Sequence, residues 1–325
     1  MYNIIKAANS LVQIVFQKNN SRMDEEKKKI AKIDPIRNFS GFKEYVKTLK
    51  NSNKKMVYRS LCSESFYYGH LYSLCQYAGI QFSTRKLYPL IEHGVNFTEY
   101  RLPTFEFTHP KRKLFQGKYK LPFKDAYEKM AIGPYTRYVN SLSISESVLE
   151  KKMGEQLIVF FPSHSYELSS VQYDINKYIS CLQGLQKSGN RIVVCAYWHD
   201  VDNEFYTRIW ENGIPVVSAG VRFDPLFISR LKSIIQSADI VFGEDLGTYI
   251  GYDFDMGKKL SLTSDTLAAV NIKVSCDNLS PRAVTLRNAL INQDEDAITS
   301  LVDYFWGTSI DILPPQAIQR FLTFN

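Results

Sequence analysis

The sequence predicts an α/β protein built on doubly wound parallel sheets, and three observations carry that expectation. Residues 156–161, "QLIVFF", form an unbroken apolar run of the kind buried on both faces of a parallel sheet. From there to residue 243, apolar runs alternate with amphipathic stretches of helix length joined by short connections. With 325 residues, 45% of them hydrophobic, the chain can bury a large core, and at roughly 100–200 residues per domain it divides into two.

In order along the chain, the expected units are an N-terminal helix and charged linker (1–35), a first α/β domain (36–153) and a second with terminal helices (154–325). "YNIIKAANSLVQIVFQK" gathers Ile4, Ile5, Ala8, Leu11, Val12, Val15 and Phe16 near one helical face, which suits packing on its own domain or lying on a membrane surface. A strand at Met56–Tyr58 leads to a helix from about Glu64 to Tyr77, stopped by Gly79. A short strand, Leu87–Ile91, ends at Glu92-His93-Gly94, where ligands of open α/β sheets collect. Thr98–Lys129, rich in Pro, Lys and aromatics, is expected to be an ordered excursion, and a hinge is placed near Gly154.

The second half is more regular. After "QLIVFF" and the "PSHS" turn comes a helix through Ile175, Ile179, Leu182 and Leu185, ended by Gly189; then "RIVVCAYW", "IPVVSAG" and "DIVFG" as strands, with "DNEFYTRIWENG" and "DPLFISRLKSIIQSA" as the helices between. The remainder, from "DTLAAVNIKVSC" onward, is expected to be mainly helical and to cross back onto the first domain.

Composition excludes several classes. Five scattered cysteines with no Cys-x-x-Cys pair argue against a disulfide framework or a zinc ribbon and favour a reducing, cytoplasmic setting. No run approaches the roughly 20 apolar residues of a membrane span, and no signal peptide opens the chain, so a soluble protein is expected. Charge is uneven: residues 1–150 carry 25 Lys+Arg against 13 Asp+Glu, a net of +12, and the rest 15 against 20, a net of −5, which together make the +7 of the chain. The basic half suits an anionic phospholipid surface or a phosphate-bearing acceptor. Nucleic acid is not expected, because no recognition helix or RNP-type strand accompanies the basic residues.

Four stretches carry residues suited to chemistry. In "ADIVFGEDLGTYIGYDFDMGKK" a strand meets a loop with Gly243, Gly247 and Gly251, which permit close backbone approach, and with Thr248 and Tyr249 opening a helix whose unpaired N–H groups suit a phosphate. The spacing is neither a dinucleotide fingerprint nor a Walker motif, so glycines serving only strand–helix packing, with Glu244 and Asp245 as caps, remain the other reading. Asp253 and Asp255 look like a metal clamp, yet two residues apart on a helix they diverge by about 200°; no metal is expected, and the pair is taken as surface decoration. Glu244 and Asp245 are expected to face a donor's sugar or ribose. "FFPSHSYE" places Ser163, His164 and Ser165 at a strand's carboxyl end, where they suit phosphate or sugar contacts or simply cap the next helix.

"LIEHG" pairs His93 with Glu92, a base with a carboxylate to orient it, or a hydrogen-bonded loop histidine. Arg222, just past a strand with Asp224 following, can take a phosphate as a fork of donors, and His199-Asp200 is a lesser candidate. His70 is read as a helix-surface residue and His109 as a loop residue, neither with a role. A Ser-His-Asp hydrolase is disfavoured by the lack of a Gly-x-Ser-x-Gly elbow.

Taken in order, "EHG", "GPYTRY", "LIVFFPSHS", "VVSAG" with "DPLFISRLKSIIQSADIVFG", and "GTYIGYDFDMGKK" resemble landmarks of bacterial capsule and O-antigen polysaccharide biosynthesis glycosyltransferases of the GT-B fold, over about residues 56–260. The arrangement is also similar to that of teichoic-acid glycerolphosphotransferases. The resemblance implies two Rossmann-like domains facing a cleft, the first on the acceptor side and the second binding a donor nucleotide. It further implies a nucleotide-sugar substrate, no separate cofactor or metal, a glycan or lipid-linked acceptor, and a cytoplasmic protein with peripheral contact at the inner membrane surface as one arrangement. On it His93 is the base, and Ser163, His164, Gly247 and Thr248 hold the donor's phosphates. The chain departs from the pattern at Glu244-Asp245-Leu246, where such families tend to present Asn or Ser. A CDP-polyol phosphotransferase and a non-catalytic nucleotide- or glycan-binding protein are the alternatives.

Overall fold

A computed structural model of the protein describes residues 34–51, 63–83, 88–98, 112–122, 128–143, 148–151, 154–165, 169–263, 268–272 and 279–323. The expected N-terminal amphipathic helix, the strand at Met56–Tyr58 and His109 lie outside the described residues.

The larger sheet is wholly parallel. Its strands are β4 (Gln156–Phe161), β6 (Asn190–Cys195), β7 (Val216–Val217), β8 (Ile240–Gly243) and β9 (Lys259–Leu262), and they lie side by side as β7-β6-β4-β8-β9. Numbered within the sheet that order is 3-2-1-4-5, so successive crossovers leave β4 in opposite directions and the order reverses between β4 and β8. Phe160 pairs with Val194 on one side and Phe242 on the other, which leaves β4 no free edge.

The unbroken apolar run of β4 follows from its position. Leu157 and Val159 enter one buried cluster while Ile158 and Phe160 enter a second on the opposite face. Each of these side chains contributes about 1.5–3 kcal/mol by leaving water. Helices α3 (Ile175–Lys187), α4 (Glu204–Glu211), α5 (Phe227–Ser237) and α6 (Tyr249–Asp255) make the crossovers, and Asp174 and Asn203 cap the first two by accepting backbone N–H bonds.

A smaller parallel sheet, β1-β2-β3, is formed by Leu90–Ile91, Arg112–Phe115 and Glu128–Ala131. Its Leu114 and neighbouring Leu71 and Tyr135 belong to the same buried cluster as Leu157, Val241 and Phe305. α1 (Phe39–Asn51) packs through Phe39, Phe42 and Val46 into the cluster on the other face of the larger sheet. Among the described residues no helix is long and apolar enough to cross a membrane.

Several elements differ from expectation, among them β2 and β3, which lie in and at the end of the stretch expected to be an ordered excursion, where no strand was expected. The helix read from Glu64 to Tyr77 is broken: a 3-10 segment, Ser63–Gly69, contains Tyr67 in extended and Tyr68 in left-handed backbone, and the α-helix, α2, runs only His70–Tyr77. An antiparallel ribbon joins β5 (Ser169–Tyr173) to β10 (Ala268–Ile272), and neither strand was expected. β10 turns the start of the supposedly helical tail into sheet; short apolar runs such as "AAVNI" fit a helix or a strand equally until a partner strand is present. The last three helices, α7 (Pro281–Asn292), α8 (Glu295–Trp306) and α9 (Pro315–Leu322), do cross back. Arg112 donates to the carbonyls of Arg320, Phe321 and Thr323, and Tyr77 Oη to that of Leu313.

Candidate functional site

The carboxyl ends of β4, β6, β7 and β8 open on a cavity of about 270 Å³, and the turn after β1 faces it from the smaller sheet. Residues from the larger sheet's edge that line it include Ser163, His164, Tyr197, Asp245, Gly247 and Thr248, while Tyr68, His70 and His93 line it from the first half. The reversal point between β4 and β8 therefore borders the cavity, the place where an open α/β sheet leaves a crevice between loops that diverge to opposite faces.

Contacts at the cavity join the sides. Val95 N–H donates to Thr248 Oγ1 at 3.4 Å, and a β-carbon on Gly94 would stand 3.1 Å from the same oxygen, so the His93-Gly94 turn needs the small residue to reach the second sheet. Tyr68 Oη and Tyr197 Oη hydrogen-bond at 2.9 Å. His93 sits among aromatic rings, 5.2 Å centroid to centroid from Tyr67 and 6.1 Å from Tyr68.

Glu92 is tied to the neighbouring strand and 3-10 segment. Its carboxylate accepts from Tyr119 Oη and from Gln116 N–H at 3.2 Å, which ties the ends of β1 and β2 together. Burial pushes its pKa up to about 7, against the pull of those two donors and of Lys120.

On the donor side the expected residues separate into two groups. Ser163, His164, Asp245, Gly247, Thr248 and Tyr249 border the cavity. His164 stacks on Tyr197 at 4.1 Å and is exposed where it borders the cavity. Asp245 is raised above the usual carboxylate range by burial, opposed by the bond from Leu246 N–H and by Arg287 at 3.8 Å.

Glu244, Ser165 and Arg222 are structural instead. Glu244 is buried and accepts from Ser163 N–H at 3.0 Å and from Tyr178 Oη, so it braces the loops after β4 and β8 rather than facing a sugar. Ser165 donates its N–H to Asp200 at 2.6 Å and accepts from Val171 N–H, which fixes the entry to β5. Arg222 lies between aromatic rings, 5.3 Å from Tyr67 and 5.1 Å from Trp198, with no place on the cavity wall. Its neighbour Asp224 pairs with Arg230 instead, and His199 Nδ1 lies 3.6 Å from Asp200.

The glycines of the loop after β8 and of α6 serve packing. A β-carbon on Gly243 would meet Tyr249 Oη at 1.7 Å, one on Gly247 the Tyr249 ring at 2.6 Å, and one on Gly251 the Trp306 ring at 2.0 Å. The close approach they permit is therefore made by aromatic side chains. Tyr249 lies flat on Phe161, with centroids 4.4 Å apart and planes 6° apart, and donates to the Asp245 carbonyl.

Asp253 and Asp255 are not surface decoration. Asp255 accepts Arg137 Nε at 2.9 Å and Nη2 at 2.5 Å, and Asp253 is wholly buried.

Tyr68 and Tyr197 were not singled out from the sequence, and His70, expected on a helix surface without a role, is instead 2% exposed and lines the cavity. "YYGHL" contained the signal, because a glycine inside a helical pattern marks a break, and the break resets which face His70 occupies.

No protein-family model matches the chain, and no curated protein matches it. Among solved structures the chain is similar to the E. coli ADP-heptose LPS heptosyltransferase II, at 10% identity and a TM-score of 0.29, over 59% of this chain and 69% of that chain. A likeness of that depth carries no argument about activity.

Proposed function

We propose that the protein is a glycosyltransferase that moves a sugar from a nucleotide-activated donor to a hydroxyl of a glycan or lipid-linked acceptor in bacterial surface-polysaccharide assembly, with capsule and O-antigen as the settings the sequence motifs favour. The observation that carries the reading is the convergence on one cavity of the carboxyl ends of β4, β6, β7 and β8, at the reversal point of a parallel sheet, with His93 opposite.

In this reading His93 takes the proton of the acceptor hydroxyl as its oxygen attacks the anomeric carbon, and the bond from that carbon to the donor phosphate breaks. Negative charge then grows on the departing nucleotide. Thr248, whose oxygen accepts from Val95 N–H, keeps its own hydroxyl proton to donate to a phosphate oxygen. His164 presents its ring at the same edge. No metal takes part in this scheme, and Asp245, the carboxylate on the wall, is placed toward sugar hydroxyls rather than phosphate.

The test is turnover and nucleotide binding by the same protein. Thermal-shift screening against UDP, GDP, ADP, CDP, CMP and their sugars should find one nucleotide class that stabilises the fold. His93→Ala should lower kcat by about 10²–10⁴-fold while leaving that stabilisation in place. Full activity in the variant removes His93 as base. Stabilisation by a CDP-linked polyol phosphate in place of any nucleotide sugar assigns a phosphotransferase, and nucleotide binding without turnover of any donor assigns a binding protein.

A further inference from the structure

We propose that the Tyr68–Gly69–His70 turn is a binding element for a hydroxyl group of a neutral sugar or polyol, in which a ring nitrogen of His70 accepts the hydrogen bond from that hydroxyl in the cavity beside His93. The proposal rests on the carbohydrate-transfer reading only for the identity of the molecule that bears the hydroxyl.

The backbone is the first observation. Tyr68 has φ 57° and ψ 18°, and Gly69 has φ 72°. An aromatic residue in left-handed backbone is an outlier that persists only where its surroundings over-determine it. Here Tyr68 N–H donates to the Arg222 carbonyl at 2.5 Å, and a β-carbon on Gly69 would stand 2.3 Å from the Pro225 carbonyl oxygen. The strained pair ends the 3-10 segment and starts α2 one residue later, with His70 turned inward: 2% exposed and on the cavity wall with Tyr68 and His93.

The second observation is the state of the His70 ring. A neutral imidazole carries its proton on one ring nitrogen and leaves the other an acceptor. Burial, and then the neighbouring His93, lower the ring's pKa to about 3, which leaves it neutral with one bare acceptor nitrogen. Nδ1 is buried without a hydrogen-bond partner among the described residues. The ring packs on Tyr135 at 4.3 Å, which holds it in place.

The ligand chemistry follows. A fixed neutral acceptor is satisfied by O–H or N–H and is repelled by the oxygens of a phosphate. Tyr68 supplies an aromatic wall beside it, 4.8 Å from Phe227 and 6.0 Å from His70 between ring centroids, apolar enough for the carbon face of a sugar. Such a site reads the hydroxyl end of a ligand and discriminates against its phosphate end.

The experiment follows the His70 nitrogens in the full chain labelled with ¹⁵N-histidine. Between about pH 5 and 8 the ring should stay a single neutral tautomer. Addition of methyl β-D-glucoside, methyl β-D-galactoside, methyl α-D-mannoside and glycerol in turn should shift the acceptor nitrogen for at least one of them, and inorganic phosphate and pyrophosphate should not. His70→Phe should weaken binding of the responding probe about tenfold or more, with at least one of His70→Asn and His70→Gln restoring it, and with the nucleotide-induced rise in Tm unchanged. A shift caused by phosphate, no shift with any glycoside or glycerol, or wild-type affinity in His70→Phe overturns the proposal; if His70→Phe does not fold, the wild-type titration decides. Glycoside binding through His70 without turnover of any nucleotide sugar refutes the transferase reading and leaves the hydroxyl site standing. Turnover with an acceptor KM unmoved by His70→Phe does the reverse.

Discussion

At the scale of single residues, the acidic side chains of the loop and helix after β8 show how little a carboxylate's chain position says about its task. Glu244 is a brace, Asp245 borders the cavity and Asp255 is held by Arg137. Asp253 is the anomaly: it is wholly buried, and neither carboxylate oxygen has a hydrogen-bond partner among the described residues. Burial pushes its pKa up to about 8, with Lys258 opposing the shift. A folded-state value above the unfolded one means that its contribution is fully present below the ordinary carboxylate value and is lost as pH rises through the folded value. Asp253→Asn, uncharged and of the same shape, lacks that loss. Urea unfolding should give the two proteins similar stabilities near pH 4 and favour Asn by up to about 5 kcal/mol above pH 8; a gap that does not change with pH contradicts a buried, protonated Asp253.

Elements are positioned by a few close approaches. α6 runs against α8 because Gly251 leaves room for the Trp306 indole, whose Nε1–H donates to the Thr248 carbonyl at 3.1 Å. Gly251→Ala puts a methyl group 2.0 Å from that ring, and overpacking of this kind costs about 1–3 kcal/mol. The expected outcome is a lower urea midpoint with an unchanged m-value, together with weaker nucleotide stabilisation, because Thr248 moves with the helix. A neutral result removes the indole as the reason for glycine at this position. β4 was legible because period and length agree for "QLIVFF"; β2, β3, β5, β9 and β10 were not, because short strands are decided by their pairing partners.

For the whole molecule, the connection between halves runs through buried clusters and a small number of polar ties. Arg137 is the densest of these: its guanidinium binds Asp255 through two nitrogens and also donates to the carbonyls of Thr308, at 2.6 Å, and Ile310. It joins the turn after β3, the end of α6 and the segment between α8 and α9. Lysine keeps the charge but not the fork, so Arg137→Lys should cost about 2–3 kcal/mol and accelerate amide exchange over residues 308–322. Unchanged exchange there would show that α9 is held by Arg112 and apolar contacts alone.

The sequence by itself determined the parallel sheet, the order of its helices, the carboxyl-end turns of β1, β4 and β8 and the presence of His93, His164 and Thr248 at them, because periodicity and chain adjacency are local properties. Only the tertiary structure decided that Glu92 accepts from Tyr119 and Gln116, that Gly243, Gly247 and Gly251 receive aromatic rings and that His70 faces the cavity. Each of those depends on what packs against a residue from a distant part of the chain, and at His70 on a left-handed turn that shifts the helical phase, information that a pattern along the chain does not contain.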